Sequence, residues 1–480
     1  MAMNYKRILH TLGIVLCFEG LLMSLPLICA IIYKEAEVYD FIKSIIVCLS
    51  AGFLLSLFKT ENKKLYSRDG FVIVALCWIV LSLFGALPFL FSGVIPNFFD
   101  AFFETASGFT TTGASILENV EILPKSILFW RSFTHWIGGM GVLVFLVALL
   151  PLSGGNNLYL MKAESTGPSV SKLVPKVKSS AKILYGIYIF LSIILLLLLL
   201  AGGMNFFDAI THTFGTAGTG GFGIKNTSVA EYSPYIQIVI TIFMALFGID
   251  FSVYYLLLLR KFKLLLHSDD VKAYLGIILV STIIICVNCV NYFENIWVSL
   301  RHSAFQVSSI ITTTGFSTEN FDTWPELSKV ILVLLMFIGA CAGSTGGGIK
   351  VSRILIYLKS ITKEIAIAAH PKLTKKIQMS GRTIEHETVR SVNVFMAAYL
   401  VVFVASILLI SFDNLDFTTN FTAVAATLNN IGPGLAKVGP ISNFSIFSDF
   451  SKLILTFDML IGRLEVFPML VLFSPHTWKK

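Results

Sequence analysis

Asn97-Phe98-Phe99-Asp100-Ala101 recurs further along the chain as Asn205-Phe206-Phe207-Asp208-Ala209, and at the same offset Gly113 falls on Gly221. Each copy leads through a short apolar segment into a turn rich in threonine and glycine. That turn occurs four times: Thr110-Thr111-Thr112-Gly113-Ala114, Ala217-Gly218-Thr219-Gly220-Gly221-Phe222, Thr312-Thr313-Thr314-Gly315-Phe316 and Asn429-Asn430-Ile431-Gly432-Pro433. A period of roughly 100 residues is too long for a solenoid, whose units run ~20–50. It suits four quasi-equivalent sectors around an axis.

The composition says where those sectors sit. Of the 480 residues, 55% are hydrophobic and 13% charged, and the mean hydropathy is +0.81. A water-soluble enzyme does not have this composition. Apolar runs such as 184–200, and 330–338 with its flanks, are continuous; they fit helices crossing ~30 Å of hydrocarbon, not the alternating strands of a barrel. The net charge of +8 is mild. Its basic residues cluster at Lys59/Lys63/Lys64/Arg68, Lys172/Lys176/Lys178/Lys182, Arg260/Lys261/Lys263, Lys350/Arg353/Lys359/Lys363 with Lys372/Lys375/Lys376/Arg382, and Lys479/Lys480. Basic loops mark the cytoplasmic side, so the spacing predicts about ten spans with both termini in the cytoplasm: 8–32, 39–58, 70–93, 127–150, 182–203, 233–259, 272–293, 327–358 with an interruption, 391–412 and 450–474. The first run, behind Lys6 and Arg7, has no small-residue cleavage site and reads as a retained span. The seven cysteines lie almost entirely in apolar runs and read as small buried hydrophobes, Cys286 and Cys289 included.

Segments 97–115 and 205–223 are too apolar for solvated loops and too short to cross twice. They read as re-entrant, which irregular backbone tolerates only inside protein or around a water-filled path. The fold expected is therefore all-α: a two-helix prefix (1–69), then four units of helix, re-entrant half-helix with loop, and helix (70–181, 182–271, 272–390, 391–480). Half-helices entering from outside aim their C-terminal ends, each worth ~0.5 of a negative charge, at one midplane cavity. Glycine after each half-helix lets carbonyls turn toward the axis, and the threonines add hydroxyl oxygens. With no carboxylate in the four motifs, neutral dipoles suit a weakly hydrated monovalent cation better than Ca²⁺ or Mg²⁺.

These motifs, with Trp130-Arg131-Ser132-Phe133-Thr134-His135-Trp136-Ile137-Gly138-Gly139-Met140-Gly141, Gly343-Ser344-Thr345-Gly346-Gly347-Gly348-Ile349-Lys350 and Gly462-Arg463-Leu464-Glu465, resemble the Trk/Ktr/HKT superfamily of potassium transporters over essentially the whole chain, and most closely its bacterial Trk membrane subunits. The resemblance implies a filter binding potassium at Thr111, Thr112, Gly113, Gly220, Gly221, Thr313, Thr314, Gly315, Asn430, Ile431 and Gly432. Sodium-favouring relatives carry Ser at the first filter position, so Gly113 implies preference for potassium. Two departures stand out: the fourth motif lacks threonine, and Asp250 occupies a place where relatives commonly show Asn.

Gly339, Gly343, Gly346, Gly347 and Gly348 fall within ten residues of the eighth span. Each costs a helix about 1 kcal/mol relative to Ala, so the helix should break over 339–348. The resemblance implies an intramembrane gating loop there, with Gly343, Gly346, Gly347, Gly348 and Arg463 as its working residues. Arg463, a charge at membrane depth, needs a cavity or a partner; it is expected to hold loop carbonyls, whereas Glu465 lies on another helix face. Glu104 is expected to support the filter. The function that follows is potassium uptake through a gated central filter across the inner membrane, without catalysis or a covalent cofactor. The resemblance further implies a homodimer, docked on nucleotide-binding RCK subunits of the TrkA type; no nucleotide site and no nucleic-acid partner are expected of this chain. Coupling to sodium or protons is an alternative. A polytopic enzyme is another, but His386-Glu387 opens no H-E-x-x-H and 343–345 form no G-x-S-x-G elbow. An alternating-access carrier would show two-fold inverted repeats.

Overall fold

The computed structural model describes residues 3–58, 67–141, 177–261, 268–374 and 376–478. Its opening path, α1 (Tyr5–Leu22) and α2 (Ser24–Tyr33), packs along α3 (Val38–Ser56). Small residues set that contact: a Cβ on Gly52 would lie 2.8 Å from Gly13 O, and one on Gly13 would lie 2.6 Å from Gly52 O. Lipid tails are as apolar as leucine, so helices in a bilayer gain most where small residues let their backbones approach.

Four units follow. The first is α4 (Ser67–Gly85) with α5 (Leu87–Phe91), α6 (Phe98–Phe109) and α7 (Lys125–Gly139). The second is α8 (Val177–Ala201), α9 (Phe206–Ala217), α10 (Pro234–Phe247) and α11 (Phe251–Leu258). The third is α12 (Asp269–Asn288), α13 (Ile296–Ile311), α14 (Glu326–Ile338) and α15 (Val351–Ala369). The fourth is α16 (His386–Ile410), α17 (Phe417–Leu428), α18 (Asp449–Arg463) and α19 (Phe467–Phe473).

In each unit the middle helix is short. α6, α9 and α17 have 12 residues each, or ~18 Å at 1.5 Å per residue, about half of the hydrocarbon. All four middle helices start on an Asx cap: Asn97, Asn205, Asn295 and Asp416 each accept a hydrogen bond from an N–H of the first turn. They are walled in by protein; every residue of α6 from Ala101 to Phe109 is buried. Their hydroxyls turn back on the helix, as Thr105 does to Ala101 O and Thr422 to Thr418 O, both at 2.7 Å. That arrangement satisfies these hydroxyl donors locally in an apolar surround.

Among the described residues, six helical paths are long and apolar enough to span a membrane, and a seventh if the bent pair α10/α11 counts as one. The six are the two prefix paths and the first helix of each unit. They present apolar side chains outward, for example Leu279, Ile283, Val287, Leu400 and Leu408. The sequence placed one interruption in the second helices; the structure breaks them more generally. α10 and α11 meet at 90° across Gly248–Asp250. α14 stops at Gly339, and α18 stops before Glu465 and Val466, both at positive φ. α7 ends at Gly139, with Gly141 at φ 80°, and the rest of the expected span 127–150 lies outside the described residues, as do Lys59, Lys63, Lys64, Lys172, Lys176, Lys263, Lys375, Lys479 and Lys480. Cys286 and Cys289 meet Ile296 O and Ser328 Oγ, respectively.

Replacing Gly52 with Leu should wedge α3 from α1 and lower stability by about 1–3 kcal/mol, the usual effect of overpacking. A fall in the unfolding midpoint in detergent, absent for Ser50→Leu at an exposed position, is the expected result.

Candidate functional site

The four middle helices end alike. Their caps are followed by a residue in the left-handed region and, two residues on, by glycine at positive φ: Thr111 (57°) and Gly113 (79°), Thr219 (53°) and Gly221 (81°), Thr313 (58°) and Gly315 (86°), Asn430 (57°) and Gly432 (97°). A β-branched residue at positive φ stores about 1–3 kcal/mol and persists only where its surroundings over-determine it. Here the same backbone bond closes every turn: Thr112 N–H to Ser107 O at 2.9 Å, and Gly220 to Gly215, Thr314 to Ser309 and Ile431 to Ala426 at 2.8 Å. The fourth motif departs in sequence and not in conformation, since Asn tolerates this region better than Thr.

Steric contacts close the four ends into a ring. A Cβ added to Gly113 would overlap the carbonyl oxygen of Gly220; one on Gly221 would overlap Thr314 O, and one on Gly315 would overlap Ile431 O. One on Gly432 would lie 2.8 Å from Thr112 O. Each glycine therefore abuts the carbonyl just before the glycine of the next unit, and the fourth returns to the first. All four glycines also line one cavity on the side where the middle helices begin.

The hydroxyls beside the ring make hydrogen bonds within the protein. Thr111 Oγ1 accepts from Arg463 Nη1 (3.2 Å), and Thr313 Oγ1 accepts from Gly347 N–H (2.6 Å). Thr112 and Thr314 pair with Thr110 and Thr312, both at 2.8 Å, and Asn430 Nδ2 donates to Thr112 Oγ1 at 3.0 Å. The ring oxygens are thus main-chain carbonyls of Thr112, Gly220, Thr314 and Ile431, one from each unit.

Beneath the ring lies the segment 339–350. It touches the second, third and fourth units directly. Cys341 N–H donates to Gly248 O (3.1 Å), Gly343 O accepts from Phe251 N–H (3.1 Å) and Thr345 Oγ1 donates to Phe247 O (3.2 Å). A Cβ on Gly346 would lie 2.9 Å from Thr312 O, and one on Gly347 2.6 Å from Asn429 O. Gly339, Gly343 and Gly348 sit at φ 72–75°, which only glycine adopts without strain. Arg463 ties the segment to the first unit: Nη1 donates to Thr345 O (2.8 Å) as well as Thr111, and Nη2 donates to Gly138 O (2.6 Å) and Gly139 O (2.8 Å). Lys350, 1% exposed, donates to Gly346 O. The segment and its surroundings thus hold two buried cations directly beyond a carbonyl ring.

Two residues have duties the sequence left open. Asp250 caps α11, accepting from Ser252 N–H (2.8 Å) and Oγ (2.5 Å), and a Cβ on Gly343 would lie 2.7 Å from its Oδ1. Glu465 pairs with Arg353, whose Nη1 also donates to Ile349 O (3.1 Å). The basic residue at the head of α15 was legible only as a topology marker, and its acidic partner lies 112 residues away.

Compared with known proteins, residues 38–480 match the family model TrkH, cation transport protein. The Trk system potassium uptake protein TrkH of Salmonella typhimurium is 40% identical over 489 residues, covering 100% of both chains. The Trk system potassium uptake protein TrkG of Escherichia coli is 33% identical, covering 99% of each. The crystal structure of the potassium transporter TrkH from Vibrio parahaemolyticus superposes with a TM-score of 0.89 at 33% identity, covering 99% of this chain and 100% of that one.

Thr313→Val removes the acceptor that holds Gly347 N–H and leaves that buried donor unsatisfied. A loss of about 1–3 kcal/mol in unfolding free energy is expected, read as a lower denaturation midpoint in detergent, with faster amide exchange at residues 345–348.

Proposed function

Since the chain belongs to the TrkH cation transport family, we propose that it takes up potassium through the ring formed by Thr112, Gly220, Thr314 and Ile431 carbonyls, with segment 339–348 as the gate. The observation that carries this reading is the cyclic contact of Gly113, Gly221, Gly315 and Gly432, each with the next unit's carbonyl. A carbonyl ring of fixed width replaces the water of a dehydrated cation, and its neutral dipoles leave the ion free to move on. Thr111, Thr313 and Asn430 hold the ring's lower rim to the gate and to α18.

The gate opens by giving up tethers. The bonds from Thr313, Arg463, Gly248, Phe251 and Phe247 to the segment are net contributions of about 1 kcal/mol each, so a partner on the cytoplasmic face supplies enough differential binding to shift the equilibrium. Arg463 and Lys350 bar a cation while the segment stays in place; moving the segment moves Lys350 and breaks the Thr345 contact. The supporting features for orientation are the basic loops: the protein crosses the inner membrane many times with both termini inside. The units are bounded as 70–181, 182–271, 272–390 and 391–480 after the prefix 1–69. The working assembly is a homodimer on nucleotide-binding TrkA-type subunits, in keeping with relatives named as parts of a Trk system.

Two outcomes follow. Gly113→Ser pushes a side chain into Gly220 O and should lower potassium-over-sodium discrimination by about tenfold, the equivalent of ~1.4 kcal/mol, in tracer uptake by proteoliposomes. Deleting residues 346–348 should raise potassium flux without any partner by at least about tenfold on the same scale; a flux equal to the parent's rules the gate out.

A further inference from the structure

At the seam between the first and second units, one guanidinium reaches the segments that follow both filter glycines, the first of them through Glu104. Glu104, buried in α6, accepts from Ser115 Oγ (3.0 Å) and Ile116 N–H (3.0 Å), the stretch directly after Gly113. It also accepts from Arg131 Nε at 2.5 Å. The same guanidinium sends Nη1 to Gly223 O (2.9 Å), two residues beyond Gly221, and lies over the Phe222 ring at 3.6 Å. One helical turn on, His135 meets Gly108 O through Nδ1 (2.7 Å) and Phe222 N–H through Nε2 (3.2 Å). Phe222 N–H is only a donor, so Nε2 accepts and Nδ1 carries the hydrogen. Gly220, whose carbonyl faces Gly113, packs on that imidazole without room for a side chain.

The second and third units, and the third and fourth, are joined by lighter links such as Val229 N–H to Ser317 O (3.0 Å) and Ala436 N–H to Asp322 Oδ1 (3.1 Å), whereas the fourth and first are joined by the Lys452–Asp100 ion pair and by Arg463. A buried ion pair gives little net stability, because desolvation offsets attraction. What it supplies is direction. A planar guanidinium joins two acceptors at a set angle and stacks on an aromatic face, which an ammonium cannot do. From the rigid helix α7, Arg131 and His135 therefore hang the shoulder of the second filter segment while Glu104 holds the shoulder of the first.

We propose that Arg131, aimed by Glu104 and assisted by His135, is a positioning residue that sets the separation of the first and second filter segments and so the ring's discrimination between potassium and sodium. This rests on the ring reading above. The side chain also borders the mouth cavity, where its charge is balanced by Glu104 and does not repel an arriving cation.

The test is the sodium-to-potassium permeability ratio of the purified full chain in liposomes, from reversal potentials, with the unfolding midpoint measured alongside. Arg131→Lys keeps the charge and loses the fork; the ratio should rise about tenfold, the loss of one charge-assisted hydrogen bond. Ser115→Ala removes one hydroxyl bond to the Glu104 carboxylate, with the acceptor of Leu117 N–H, leaves the Arg131 bonds in place and should raise it about twofold. A parental ratio in folded Arg131→Lys overturns the proposal, even if its midpoint falls, because a merely stabilising residue moves only the midpoint. Should Arg131→Lys fail to fold, a parental ratio in Ser115→Ala overturns it instead. Gly113→Ser in the same assay separates the two readings. If it shifts the ratio and Arg131→Lys does not, the strut alone is wrong; if neither does, the ring is.

Discussion

A polar backbone at membrane depth must be satisfied by the protein itself, and this molecule is organised around one place where four carbonyls are left facing each other. Gly113, Gly221, Gly315 and Gly432 each abut a carbonyl contributed by the following unit. The closeness of that contact leaves no space for a methyl group. Strain at Thr111, Thr219 and Thr313 is the local consequence, tolerated because capped and walled-in middle helices fix both ends of each turn. On the proposed reading, these carbonyls replace the hydration of an ion stripped of its own water.

The second constraint is electrostatic. Middle helices direct the negative ends of their dipoles at the ring, while Arg463 and Lys350 stand just past it. On the proposed reading, attraction at the ring and repulsion behind it make a binding site with a barrier, Lys350 ending the glycine-rich segment and Arg463 holding it from α18. Arg353 with Glu465 fastens the head of α15 to the break in the last span, so the segment's two flanks are anchored while its middle is lightly tied. Asp250 adds a carboxylate against Gly343 from the third side.

Much of this was readable in advance. The composition required a bilayer, the repeated Asn-Phe-Phe-Asp-Ala marked two units, and the turn that ends on glycine pointed to four. Five glycines in ten residues announced the interruption after α14. The breaks at Gly248–Asp250 and at Glu465–Val466 were not announced, because only one glycine stands at each and the bend comes from packing beneath a filter turn. Gly462, for instance, abuts Leu428 O with no room for a side chain. The position of threonine next to glycine says nothing of which way its hydroxyl turns; in the fold these hydroxyls bond to Arg463, Gly347 and one another.

Periodicity, charge placement and internal repetition are local properties, and they determined by themselves that this chain is a many-span membrane protein with four equivalent half-helices ending on glycine. Which carbonyl meets which glycine is a relation between separate units, as are the ties from Glu104 through Arg131 to Gly223 and, across 352 residues, from Arg463 to Thr111. No single segment encodes such distances. They arise when four units share one axis, because only then do close approach and the demand for hydrogen-bond partners select a geometry.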